Sequence, residues 1–151
     1  MNRPFIVVDA SVAIKWLFPE DGFEQAKALR HSYRCIAPQI VYAECSNVIW
    51  KKVRRSELTK SEALRATTFV ETLSVEVVSL RELVPLAMEL SLALDHAVYD
   101  CFYLALAAIQ KCQMVTADAK LHRKVHSLLP PEAATGCYML GAFPAAPASD
   151  I

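Results

Sequence analysis

Along this chain, short unbroken apolar runs alternate with longer stretches in which apolar residues recur every three or four positions. The runs predict strands buried on both faces, and the spaced stretches predict amphipathic helices. Phe5-Ile6-Val7-Val8 is the first run, and Asp9 follows it directly. Further strands are predicted at 35–37, closed by Pro38, at 75–79, and at 113–116. Helices are predicted at 11–17, stopped by Pro19, and at 23–33 and 39–55. Another spans 60–73, opened by the capping box Thr59-Lys60-Ser61-Glu62. The rest are 83–94, with Pro85 in its first turn, 99–111 and 120–127. Helix 99–111 is apolar almost all round and is expected to lie centrally. Pro130-Pro131 breaks the pattern, and Pro144 and Pro147 among alanines read as a loose tail. Strands alternating with helices predict an α/β fold: a mainly parallel twisted sheet of four to five strands, flanked by helices on both faces. One domain over 1–140 and a tail over 141–151 are expected.

Composition narrows the classes. With 54% apolar residues and a mean hydropathy of +0.26, the chain carries apolar surface that a subunit interface would absorb, so a homodimer is expected. No run reaches the roughly 18–20 apolar residues of a membrane span, and the N-terminus lacks a signal-peptide layout; a cytoplasmic protein is expected. Cys35, Cys45, Cys101, Cys112 and Cys137 are odd in number, widely spaced and without a CxxC, which argues for free thiols over a zinc ribbon or disulfide framework. Lys+Arg and Asp+Glu both total 16, so bulk charge does not bind nucleic acid. A local patch could, and Lys51, Lys52, Arg54 and Arg55 at the end of helix 39–55 form the best one.

Four acids stand in positions where function and structure compete. Asp9 ends a buried strand, at the sheet edge where open α/β folds bind ligands; it also suits a helix N-cap. Glu44 sits between Val41 and Val48 on an apolar helix face, where it either pairs with a cation such as Lys51 or faces a polar site. Asp100 opens the most apolar helix, as a cap or as a carboxylate carried inward. Asp118 follows the 113–116 strand much as Asp9 follows the first. Neighbouring strands lie about 4.8 Å apart, so the two could share a pocket. Unit charges about 4 Å apart repel by roughly 4 kcal/mol at an effective dielectric near 20, so a carboxylate cluster needs a cation or protons. All-oxygen acidic sites suit Mg²⁺ or Mn²⁺.

Four segments carry a resemblance: Val8-Asp9-Ala10-Ser11, Glu44 with Asn47-Val48, Val98-Tyr99-Asp100-Cys101-Phe102-Tyr103-Leu104-Ala105-Leu106-Ala107, and Val115-Thr116-Ala117-Asp118. In this order they resemble the PIN-domain nucleases, above all the toxins of VapBC toxin–antitoxin pairs. The resemblance implies Asp9, Glu44, Asp100 and Asp118 as an acidic quartet around Mg²⁺ or Mn²⁺, steadied by the hydroxyls of Ser11 and Thr116. Local capping remains the alternative for both hydroxyls. The implied activity is metal-dependent hydrolysis of RNA phosphodiesters, leaving 5′-phosphate and 3′-hydroxyl ends, in a toxin held by a VapB-like antitoxin. The alternatives are a PIN nuclease of RNA processing or quality control, and a non-catalytic binding module on the same fold. Ser56 departs from the family, where glycine is frequent after the basic helix. Lys51, Lys15 and Arg54 are the candidate RNA contacts. Asp95 and His96 read as cap or connector, His122 and His126 as a solvated helix face, and Trp16 and Trp50 as core or interface.

Overall fold

The computed structural model describes residues 2–143. Five strands form one parallel sheet: β1 Phe5–Val8, β2 Arg34–Pro38, β3 Glu76–Val78, β4 Gln113–Thr116 and β5 Cys137–Met139, in the order β3-β2-β1-β4-β5. Ile6 to Val8 and Met114 to Thr116 are buried without interruption. Successive strand side chains point to opposite faces, so the central strands are covered on both. Eight α-helices provide the cover: α1 Ala10–Ala13, α2 Phe23–Ser32, α3 Val41–Arg54, α4 Lys60–Glu71, α5 Val84–Leu94, α6 Val98–Gln110, α7 Ala119–Leu128 and α8 Pro131–Ala134. Helix α6 is buried from Cys101 to Ala107 and packs on β1, β2 and β4, the central place its composition predicts.

The chain builds outward from β1 to β2 and β3, then returns to lay β4 on the other side of β1. Strand order therefore reverses between β1 and β4. The crevice beyond their carboxyl ends is where this topology leaves room for a ligand.

Two local features differ from expectation. The helix predicted at 11–17 is a four-residue α1 followed by a 3₁₀ turn, Ile14–Trp16. Burial of Val12, Ala13, Ile14 and Trp16 tightens this segment against the core. Strand β5 was not anticipated: it is three residues long, only Cys137 is buried, and so short an edge strand has no period to read. Its backbone is recruited by β4, with Met114 opposite Cys137. Of the two tryptophans expected in core or interface, Trp16 is buried and donates Nε1–H to the Ala26 carbonyl, and Trp50 is 51% exposed beneath the Arg54 guanidinium, outside the core of this chain. Ser56 has φ +59°, the left-handed conformation that glycine takes without cost.

All five cysteines are free, and all but Cys112 are buried. No single described helix is long and apolar enough to cross a membrane; the apolar 81–94 and 98–110 helices are bent by 118° at their junction. Of the expected tail, residues 141–143 are described, with Phe143 against Tyr33 and Tyr138. The remainder from Pro144 lies outside the described residues.

Candidate active site

Parallel pairing of Val8 with Val115 brings the next residues, Asp9 and Thr116, side by side at the carboxyl edge. Asp9 caps α1, accepting the Val12 N–H at Oδ1 (3.2 Å). Ser11 Oγ also donates to Oδ1 (2.5 Å), and Thr116 Oγ1 donates to Oδ2 (2.5 Å). The same two hydroxyls also accept backbone N–H groups, Ser11 across the strand pair from Ala117 (2.9 Å) and Thr116 locally from Asp118 (3.0 Å). Two side chains thus stitch the ends of β1 and β4 together. Asp9 is only 4% exposed. Burial pushes its carboxyl up to about 7; the Ser11 and Thr116 bonds pull it back, and the Asp100 charge adds to the rise.

Asp118 caps α7 by accepting the N–H groups of Lys120 (2.9 Å) and Leu121 (3.2 Å) at Oδ1. Capping and a place at the cleft are therefore not alternatives for Asp9 or Asp118: each has both.

Glu44 projects from the first turn of α3. Its Oε1 is buried without a hydrogen-bond partner, as is the Tyr103 hydroxyl. Burial raises the Glu44 carboxyl; the neighbouring Tyr103 phenol opposes the rise, and the Asp100 charge reinforces it. Among the described residues no ion pair joins Glu44 to Lys51. Asp100, in the first turn of α6, is held at Oδ2 by His96 Nε2 (2.5 Å).

These side chains meet in one cleft of about 360 Å³, lined by Asp9, Ser11, Glu44, Asn47, Lys51, Tyr99, Asp100 and Asp118. The four acids singled out in the sequence share this cleft, and Thr116 lies buried behind Asp9. Of the candidate RNA contacts only Lys51 lines it. Lys15 donates to the Asp21 carbonyl (2.7 Å), and Arg54 lies over Trp50. Lys52 is paired with Glu20 and Glu57. Asp95 is exposed, and its carbonyl accepts Lys124 Nζ. His122 and His126 stack on each other at 4.2 Å, and His126 contacts the Cys137 carbonyl.

Sequence reasoning assigned His96 a cap or connector role and Tyr103 no role of its own, yet both stand beside the acids. Both lie at helical spacing from Asp100, four residues before and three after. That spacing was available as a signal for the His96–Asp100 contact, whereas the approach of Tyr103 to Glu44 depends on how α3 and α6 pack.

The cleft suits a hard cation. Its acids are oxygen donors, Asp9 is pushed toward protonation, and Glu44 Oε1 is buried and unpartnered. Among the described residues no three Asp, Glu, His or Cys side chains stand close enough to enclose an ion unaided. An ion held here would need waters for most of its shell, as Mg²⁺ ordinarily keeps.

The PIN domain family model matches residues 6–126. Ribonuclease VapC3 of Pyrobaculum aerophilum is 31% identical over 132 residues, covering 83% of this chain and 98% of that protein. The crystal structure of PAE2754 from Pyrobaculum aerophilum superposes with a TM-score of 0.65 at 22% identity, covering 91% of this chain and 90% of that one. VapBC2 from Rickettsia felis, solved bound to a DNA fragment from its promoter, gives a TM-score of 0.56 at 15% identity, covering 79% and 92%.

Proposed function

The chain belongs to the PIN-domain family, with VapC-like relatives, and from that premise we propose that it is a divalent-metal-dependent ribonuclease serving as the toxin of a toxin–antitoxin pair. The observation that carries the reading is the unmet demand for positive charge in the cleft. Asp9 is almost fully buried with its carboxyl pushed up to about 7, and Glu44 stands in the same cleft with the Tyr103 phenol beside it and no ion pair among the described residues. A surface made only to bind RNA gains nothing from buried acids, because phosphates repel them.

Asp9, Glu44 and Asp100 would hold the Mg²⁺ or Mn²⁺, with Asp118 beside them. Bound there, the ion supplies Lewis acidity to a phosphoryl oxygen and lowers the pKa of a water. The chain's own groups do the rest. Ser11 and Thr116 hold both oxygens of Asp9, so the carboxylate cannot turn away from the cleft. Asp118 is fixed through Oδ1 by the start of α7, which leaves Oδ2 as the oxygen able to orient a water or take its proton. Lys51, exposed at the rim, offers a cation to an RNA phosphate. Tyr99, 58% exposed on the facing wall, offers a ring on which an unpaired base can stack.

The VapBC2 structure supports a VapB-like antitoxin as the partner that restrains this chain. The apolar surplus supports a homodimer, and the absence of a long apolar helix among the described residues is compatible with a cytoplasmic site of action.

The test is purified protein on end-labelled RNA with Mg²⁺, with Mn²⁺ and with EDTA, beside Asp9→Asn. Cleavage is expected only from the wild type and only with metal. Cleavage that persists in both EDTA and the variant removes the mechanism.

A further inference from the structure

Between α5 and α6 lies a connector pinned through its backbone, and its one imidazole is turned toward Asp100. The chain leaves α5 through Asp95 in the left-handed conformation, φ +45°. Lys124 of α7 fastens that turn by donating Nζ–H to the Asp95 carbonyl (2.7 Å). The next residue, His96, is held twice by Ser91: Ser91 Oγ donates to the His96 carbonyl (2.6 Å), and the His96 N–H donates to the Ser91 carbonyl (3.2 Å). Helix α6 then begins at Val98, and its N-cap residue, Ala97, offers no side chain to cap it. His96 is free of that duty, and its ring turns to Asp100 instead, Nε2 to Oδ2 at 2.5 Å with only 10% of the imidazole exposed.

We propose that His96 is the positioning residue of Asp100: by holding Oδ2 it fixes the carboxylate so that Oδ1 is the oxygen offered to a cation in the cleft. This rests on the metal-dependent reading above. A carboxylate at the start of a helix ordinarily swings among rotamers, and a side chain with two free oxygens loses that freedom only when a cation binds. Ser91, Lys124 and the left-handed Asp95 turn restrain His96, and His96 restrains Asp100, so the ordering is already present in the protein alone. Groups that orient a ligand in this way typically affect metal affinity by about 10–100-fold. His96 does not line the cleft, so it acts only through Asp100.

The experiment compares His96→Gln and His96→Met with wild type and Asp100→Asn. Gln and Met are similar in length, but only Gln can donate to Oδ2. Mn²⁺ affinity is read by the loss of the free-ion EPR signal, metal-free stability by thermal melting, and RNA cleavage by initial rates at saturating metal. His96→Met is expected to bind Mn²⁺ about 10–100-fold more weakly, with kcat reduced and KM for RNA unchanged. His96→Gln should recover most of both losses. Wild-type Mn²⁺ affinity in His96→Met overturns the assignment, as does equal weakness in the two variants, which would make His96 a packing residue. Loss of the metal-free fold in both marks it as a structural cap and overturns it as well. Failure of the wild type itself to bind Mn²⁺ would bring down the metal-dependent reading, a different result from any of these.

Discussion

Asp9 and Asp118 begin from the same local grammar and end as different chemical groups. Each follows a buried strand of the same sheet, and each caps the helix that comes next. Asp118 is partly exposed and held by two amide N–H groups on one oxygen. Asp9 is 4% exposed and takes a hydroxyl on each oxygen, yet burial still raises its carboxyl to about 7. Strand topology decides where an acid stands; the packing around it decides what its charge costs. Between the two sits Thr116, whose single hydroxyl donates to Asp9 and accepts from the Asp118 amide. The buried acid is the one whose charge most needs a cation, and the exposed one is free to meet water.

The sharpest way to break this contrast is Asp9→Asn. It keeps the shape and most of the hydrogen bonding but removes the charge, and RNA cleavage should fall by roughly 10³-fold or more. Single-turnover rates at saturating metal would measure the loss, and a fall of tenfold or less would show that the buried carboxylate is only a cap.

Next in size is the pH dependence of stability without metal. Below about pH 4 Asp9 is protonated in both folded and unfolded chains and contributes nothing. From 3.8 to about 7 the unfolded chain ionises while the folded one does not, so stability falls as pH rises, by on the order of 4 kcal/mol in total. Above that window both states are ionised and the decline stops. A cation reverses the penalty, so Mn²⁺ should raise the melting temperature more at pH 8 than at pH 5. Asp9→Asn should flatten both profiles in melts run with EDTA and with Mn²⁺.

Asp118→Asn should behave differently. Asparagine caps helices about as well as aspartate, so the melting temperature should hold while cleavage drops by about 10–100-fold. Asp118→Ala should lose the activity and about 1 kcal/mol of stability besides. Equal activity in Asp118→Asn and wild type would confine this residue to capping.

Much of this arrangement was legible before any coordinates. β1 and the body of α6 are written as apolar runs and β4 as a short one, and acids at the ends of the two strands converge because parallel pairing leaves them no other edge. Glu44 was conspicuous because an acid on an apolar helix face demands a partner. What stayed hidden depends on partners distant in sequence. Which oxygen of Asp9 meets Ser11 and which meets Thr116 follows from the β1–β4 register. Lys52 looked like a free cation until Glu20 and Glu57 closed on it. Edge strand β5 pairs along β4, and nothing in three residues, one buried and two half-buried, announces that. Ser56 shows the reverse case: it stood out as a departure from glycine in a family pattern, and its backbone is left-handed.

The smallest expected effect falls on the hydroxyl that joins the two acids. Thr116 is fully buried, so replacing it with valine keeps the volume and removes both bonds at once. Asp9 Oδ2 then loses its donor and the Asp118 N–H its acceptor, at a cost of about 1–2 kcal/mol. Because the Thr116 bond is one of the forces holding the Asp9 carboxyl down, its loss should carry the descending limb of the stability profile to higher pH. Thr116→Ser keeps the hydroxyl and should keep the wild-type profile despite a small loss of packing. If valine and serine give the same profile, the link between the acids is packing alone. If only valine shifts it, the electrostatics of the buried acid are set by an atom that also anchors the exposed one.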